Sequence, residues 1–202
     1  MPDNYNPDQL RQATINRLLL DTLGRRERPD LLLHKQGGVW RPISTQSFLA
    51  RVAALAATLQ RLGIQKGDRV AVFSENQPEW SMADMAILGL GALNVPIYPA
   101  ESVERLTYIL QHSEARVCFL SGAEQWEKVK AIWSSLPHLE TVVPSMPAGE
   151  APAGRRIVSW AEAAPARKTR NEMKMTVDFM EWFLYVMFFN DFRFNINIIT
   201  RC

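Results

Sequence analysis

Between positions 70 and 143 the chain alternates strictly between short apolar runs and helix-length amphipathic segments. Val70-Ala71-Val72-Phe73 is continuous and apolar, the pattern of a strand covered on both faces. A helix over 78–93 follows, then a strand over 95–98 and a helix over 102–111. A strand over 117–120, a helix over 124–135 and a strand over 141–143 complete the series. Strands separated by helices of this length pair in parallel through right-handed crossovers. The sequence therefore predicts an α/β fold: a layered, mostly parallel sheet with helices on both faces, incomplete in extent.

The segments before this series are more local. Leu10, Ile15, Leu18, Leu19 and Leu23 recur at helical spacing over 9–23, and Gly24 ends the pattern. LLLHKQGGVWRPI reads as two strands around Gly37-Gly38, a dipeptide able to take the positive backbone angles of a tight hairpin. From 45 to 62 an Ala- and Leu-rich helix carries Phe48, Val52, Leu55, Ala56, Leu59 and Leu62 on one face. Ser44 is placed to cap its start and Gly63 to end it in a left-handed turn.

Charge and cysteine content exclude several functions. A net charge of +2 with both signs interspersed gives no basic stripe to follow a phosphate backbone, so nucleic acid is excluded as a partner. The short basic runs at Arg25, Arg26 and Arg28 and at Arg167, Lys168 and Arg170 read as solvated surface. Cys118 and Cys202 cannot form a disulfide framework, and Cys118 lies within an apolar run as a small buried hydrophobe. The N-terminus lacks the cationic start and apolar stretch of a signal peptide, so the expected location is cytoplasmic.

Composition breaks beyond Pro165. The segment MPAGEAPAGRR reads as a linker, but after Ala166 there is no Ala, Gly or Pro, and Phe, Met, Trp, Asn and Ile dominate. The division is thus 1–165 as one domain and 166–202 as an unrelated aromatic-rich tail from a frameshift or fusion. A native helix docking on the domain is a second reading of the tail. A membrane-spanning helix is a third, against which the run from Trp182 to Phe189 is short and flanked by Glu181 and Asp191.

Candidate chemistry is sparse. GLGALN, from Gly89 to Asn94, has the look of a dinucleotide fingerprint but ends a helix and leads into a strand, the reverse of what that motif needs. Glu79 and Asp84, five positions apart on a helix, point well apart in angle, and Glu79 reads as a charge favouring the helix start. His34, His112 and His138 lack partners at metal-ligand spacing. Ser74 ends a parallel strand, where open α/β sheets bind ligands, although turn formation explains it equally well. Trp40, Trp80 and Tyr98 read as core aromatics.

The wording of one region is more specific than its element order. It is carried by Gly67-Asp68-Arg69-Val70, Asn76, Pro78-Glu79-Trp80, Ala83-Asp84, Gly91-Ala92, Val95-Pro96-Ile97-Tyr98-Pro99, Tyr108-Ile109-Leu110 and Ser113-Glu114-Ala115. Together these resemble the N-terminal region of the adenylate-forming (AMP-binding) acyl-CoA synthetases, above all the bacterial long-chain fatty-acid-CoA ligases. The resemblance implies an intact enzyme that joins a fatty acid to ATP as an acyl-adenylate, with magnesium, and passes the acyl group to coenzyme A. It also implies that the residues performing this chemistry lie further downstream: a Ser/Thr/Gly-rich phosphate loop with its Lys, an adenine-site motif, a ribose-binding Asp and a Lys on a mobile domain. No such loop followed by Lys occurs after Ala164.

No catalytic, cofactor-binding or metal-binding residue is therefore assigned to this chain, and no cofactor is expected for it alone. Fatty acid, ATP and coenzyme A are the partners of the intact enzyme, with peripheral membrane contact and a complementing chain as further expectations. A noncatalytic α/β binding module and one half of a split ligase are the alternatives. An incomplete sheet is also expected to leave an open edge and an uncovered helix face, favouring aggregation or partial unfolding.

Overall fold

The structure, a computed structural model, describes residues 14–165. Leu10, the tail from 166 to 202 and Cys202 lie outside the described residues, as does the tail's basic run. Helix α1 spans Ile15–Arg25, and strands β1, Leu32–Gln36, and β2, Val39–Ile43, form an antiparallel hairpin. Gly37 and Gly38 have φ of 58° and 82°. A two-residue turn with both angles positive matches the twist of its flanking strands.

Helix α2, Thr45–Arg61, starts where the Ser47 N–H donates to Ser44 Oγ at 3.1 Å, and Gly63 leaves it with φ of 79°. Then follow β3, Arg69–Phe73; α3, Pro78–Gly89; β4, Leu93–Ile97; α4, Val103–Ser113; and β5, Val117–Leu120. The chain continues through α5, Ala123–Ile132, a 3-10 turn over Trp133–Ser135, β6, Thr141–Pro144, β7, Arg156–Ile157, and α6, Trp160–Ala163.

The five strands β4-β3-β5-β6-β7 form one sheet in that order, every neighbour parallel. Successive side chains on a strand point to opposite faces, and the core divides accordingly. Val70, Val72, Val117, Phe119 and Val143 pack beneath α2, α3 and α6. Ala71, Phe73, Cys118, Leu120 and Val142 pack beneath α4, α5 and Trp133. Burying one Val or Leu side chain fully contributes about 1.5–3 kcal/mol, so two apolar layers on one sheet bind the whole unit together.

Several expectations change. The helix predicted over 78–93 ends at Gly89, because Gly91 turns left-handed at φ 69° and β4 begins at Leu93. The helix predicted over 124–135 finishes as a 3-10 turn, allowing Trp133 Nε1 to donate to Leu139 O at 2.8 Å. The face predicted for the first helix is only half realised. Leu23 packs on the core, but Ile15 and Leu19 are exposed and the buried contact belongs to Asn16, whose Nδ2 donates to Met85 O at 3.3 Å.

The segment read as a linker is part of the domain. Met146, Ala148 and Ala151 pack against the second apolar layer, and Arg156 lies in β7. Arg155 Nη1 donates to the carbonyls of Leu139 and Pro137, tying the return segment to the loop before β6.

At the N-terminal end of the sheet, Arg116 Nη1 donates to Gly63 O and to Asp68 Oδ2, each at 2.9 Å. Its Nε and Nη2 reach the Glu140 carboxylate at 3.1 Å. Hydrogen bonding to Glu140 is the main cause of a raised Arg116 pKa. This cluster fixes the sheet at the end opposite the ligand-binding side of such folds.

Candidate functional site

In an open α/β sheet, ligands bind beyond the carboxyl ends of the strands, where neighbouring connections leave to opposite faces. Here that point lies between β3 and β5. The chain leaves β3 for α3 on one face and leaves β5 for α5 on the other. The crevice is lined by Ser74, Gln77, Glu79, Trp80, Ser145 and Trp160, over a floor that includes Val72 and Phe119. Its volume is about 10 Å³, room for roughly one water.

Three serines lie in or beside it, each immediately following a buried strand: Ser74 after Phe73, Ser121 after Leu120 and Ser145 after Pro144. Their hydroxyls are engaged by the loops. Ser74 Oγ donates to Glu75 O at 2.8 Å and accepts from Gln77 Nε2 at 3.4 Å. Ser121 Oγ accepts from the Glu75 N–H at 3.0 Å, and Ser145 Oγ donates to Ser121 O at 2.7 Å. Gln125, nearly fully buried, donates through Nε2 to Pro99 O at 3.4 Å.

The turns after β3, β5 and β6 are thereby stitched to one another. Ser74 bonds within its own loop, ahead of the bend at 76–77. Ser121, Ser145, Gln125 and Trp160 carried no assignment in the sequence, although a serine after every central strand was the available signal. Trp160 stacks edge-on to Phe119, 5.9 Å between ring centroids, and its buried Nε1 has no acceptor among the described residues.

Glu79 and Asp84 are not a pair. Glu79 lies in the first turn of α3 and lines the crevice, while Asp84 accepts from Asn94 Nδ2 at 2.6 Å and ties α3 to β4. The histidines stay apart: His34 lies on β1, His138 is exposed after the 3-10 turn, and His112 stacks on Tyr108 with 5.4 Å between rings. Among the described residues no group of three His, Cys, Asp or Glu side chains is arranged to hold a metal ion.

Two aromatics depart from the core reading. Trp40 is 62% exposed because β2 belongs to a hairpin outside the main sheet, and Tyr98 is 71% exposed because it follows the last paired residue of an edge strand. Trp80 is half-buried against the α2–α3 layer, as its sequence context suggests. Between hairpin and α3 lies a broad open groove of about 740 Å³, bordered by His34, Lys35, Trp40, Asn76, Pro78 and Ser81.

Cys118, fully buried on β5, is pushed up to about 12 by desolvation and is no nucleophile. Among the described residues the crevice thus offers hydrogen-bonded turns and one donor without an acceptor, and its volume does not admit a nucleotide. The residues that line this crevice do not fit ATP or magnesium, and no reaction step is assigned to them.

Comparison with known proteins places this architecture. The AMP-binding enzyme family matches residues 25–176. The long-chain-fatty-acid–CoA ligase FadD15 of Mycobacterium bovis is 34% identical over 146 residues, 71% of this chain and 24% of that protein. The long-chain-fatty-acid–CoA ligase ACSBG2 of Xenopus laevis is 27% identical over 131 residues, covering 65% of this chain and 18% of its own. Among solved structures, acetoacetyl-CoA synthetase from Streptomyces lividans superposes with a TM-score of 0.62 at 24% identity, over 76% of this chain and 25% of that one. The anthranilate CoA ligase AuaEII in complex with anthranoyl-AMP superposes with a TM-score of 0.56 at 23% identity, over 63% of this chain and 24% of that one.

At these identities the two structures show the shared fold alone. The chain spans a quarter or less of the length of the relatives it matches, and it resembles the N-terminal part of AMP-forming acyl-CoA ligases. With a parallel sheet, its switch-point crevice and a family match over most of its length, this chain belongs to the AMP-binding enzyme family.

Proposed function

We propose that this chain is the N-terminal segment of an ATP-dependent long-chain fatty-acid-CoA ligase and that its own part in the enzyme is scaffolding. The 34% identity to a long-chain ligase supports the substrate class. In the intact enzyme a fatty acid, ATP with magnesium, and coenzyme A are the ligands, and the acyl-adenylate is the intermediate. This segment fixes one parallel sheet and the turns beyond it, against which downstream residues assemble the site.

One observation carries the scaffold role. The serine hydroxyls at the switch point are spent on holding turns together: Ser74, Ser121 and Ser145 all hydrogen-bond within the loops. Adenylate formation needs donors aimed at developing charge, and removing a single one of these lowers the rate about 100- to 1,000-fold. On this reading the chain by itself has no measurable ligase activity.

The test is ATP–pyrophosphate exchange by the purified 202-residue chain with palmitate, ATP and magnesium. Exchange at the level of the enzyme-free blank is expected, and exchange above it overturns the scaffold role. The domain boundary at 165 is tested separately at the DNA level. A second reading frame resuming there with a Ser/Thr/Gly-rich loop and Lys is the expected finding.

The proposal includes a cytoplasmic location for the intact enzyme, with peripheral contact at a membrane surface. Among the described residues no helix is long and apolar enough to cross a membrane.

A further inference from the structure

We infer that the turn joining β5 to α5 is a positioning centre, in which Ser121 and Gln125 couple the turns beyond β3, β4 and β6 so that four strand ends move as one unit. That this rim positions ligands in an intact ligase rests on the proposed function; the coupling itself is a property of the chain.

The sheet order places β5 between β3 and β6, with β4 one strand further away. Ser121 serves both neighbours. Its carbonyl accepts from Ser145 Oγ at 2.7 Å beyond β6, and its hydroxyl accepts the Glu75 N–H at 3.0 Å beyond β3. Gln125 spans the longer distance to β4. Buried at 4% exposure, it donates through Nε2 to Pro99 O at 3.4 Å, while its Oε1 accepts from Ser121 Oγ at 3.5 Å. Further along α5, Lys128 Nζ donates to Glu101 O at 3.1 Å.

Hydrogen-bond chemistry fixes the direction of this series. Pro99 O can only accept, so the carboxamide nitrogen faces it and Oε1 faces Ser121. Oε1 also only accepts, so the Ser121 hydroxyl hydrogen goes to it and the lone pairs are left for the Glu75 N–H. Each group then has one role, and bonds linked in this way polarise one another. The fit around the carboxamide agrees. A Cβ on Gly122 would stand 2.9 Å from Gln125 Oε1, and Gly122 has φ −158°, which any residue adopts, so it is room for Gln125 that glycine supplies.

The consequence is action between residues that share no bond. Ser145 hydrogen-bonds to the β5 turn and not to the loop after β3, and Ser121 reaches the loop after β4 only through Gln125.

Amide hydrogen exchange on the full chain reads this at Glu75, whose N–H is held by Ser121, and at Glu101, whose N–H donates to Tyr98 O at 3.0 Å in the turn after β4. Ser145→Ala is expected to speed exchange at Glu75, and Ser121→Ala at Glu101, each by about fivefold, the equilibrium equivalent of one net hydrogen bond. Ser121→Thr keeps a hydroxyl and is expected to hold Glu101 at its original rate. Gly122→Ala presses on the Gln125 carboxamide and is expected to speed Glu101 with every hydroxyl in place. Amides within β3 and β5 are expected to keep their rates in all four variants.

An unchanged Glu75 in Ser145→Ala, or an unchanged Glu101 in either Ser121→Ala or Gly122→Ala, overturns the coupling. Acceleration that spreads to the amides within β3 and β5, or a Ser121→Thr variant as fast as Ser121→Ala, makes these residues general stabilisers and overturns the positioning role. ATP–pyrophosphate exchange by the unmodified chain overturns the scaffold reading alone, because the amide rates are read without ligand.

Discussion

Cys118 and two glycines show how single positions acquire meaning from their surroundings. Burial holds the Cys118 thiol at about 12 against an ordinary 9.0. Below pH 9 it is protonated whether the chain is folded or not. Between about 9 and 12 only the unfolded chain gives up the proton, so stability falls as pH rises through this window. The melting temperature of the native sequence should therefore drop more steeply from pH 8 to 11 than that of Cys118→Ala. Thiol labelling at pH 8 should await unfolding, and rapid labelling of folded protein would contradict the burial. Gly91 has φ 69° and Lys66 Cγ 3.1 Å from where a Cβ would stand, whereas Gly24, in α1, has open space around it, so the two should respond oppositely to alanine. Gly91→Ala should cost about 1–2 kcal/mol in urea unfolding from the left-handed backbone, whereas Gly24→Ala should gain about 0.5–1 kcal/mol from helix propensity.

At the scale of elements, caps and turns account for where helices and strands begin. Ser44, Ser102 and Ser159 each accept a backbone N–H at a helix start, and Glu162 completes a capping box with Ser159. Ser159 hydroxyl donation is the main cause of the lowered Glu162 pKa. Ser44→Ala should destabilise the chain by about 1 kcal/mol, read as a shift in urea midpoint with unchanged m-value. Such signals are local, which is why α2 and the hairpin were legible from residues alone. Element ends set by distant contacts were not. The 3-10 turn after α5 depends on Trp133 reaching Leu139 O, and β7 exists because Glu140 and Val142 offer carbonyls to a segment whose composition resembles a linker.

Across the whole molecule, one sheet shared by two apolar layers implies a common unfolding event. Leu55 lies in the layer under α2 and Leu106 in the layer under α4, both fully buried. Leu55→Ala and Leu106→Ala should each cost about 2–5 kcal/mol and move one shared thermal transition. Two transitions, with each variant affecting only one, would show that the layers unfold separately. The exposed Leu33, Val39 and Trp40 of the hairpin and Leu93 and Tyr98 of the β4 edge lie outside both layers. Exposed apolar side chains of this kind are the surfaces through which hydrophobic self-association would proceed.

The sequence by itself determined the α/β class, the parallel pairing, the hairpin and the family. Those follow from periodicity, turn residues and wording, all of which are written along the chain. It also showed that GLGALN is a helix end and that Cys118 belongs to the interior. Tertiary structure alone decided the strand order β4-β3-β5-β6-β7, and with it the switch point. Only there do Ser74, Ser121 and Ser145 meet, although 71 positions separate the first from the last. Only the ladder register turns the backbone groups of Pro96 away from β3 and those of Ile157 away from β6. Hydrogen bonds between strands distant in sequence carry no local signature, so pattern can announce a sheet while packing decides its order and edges.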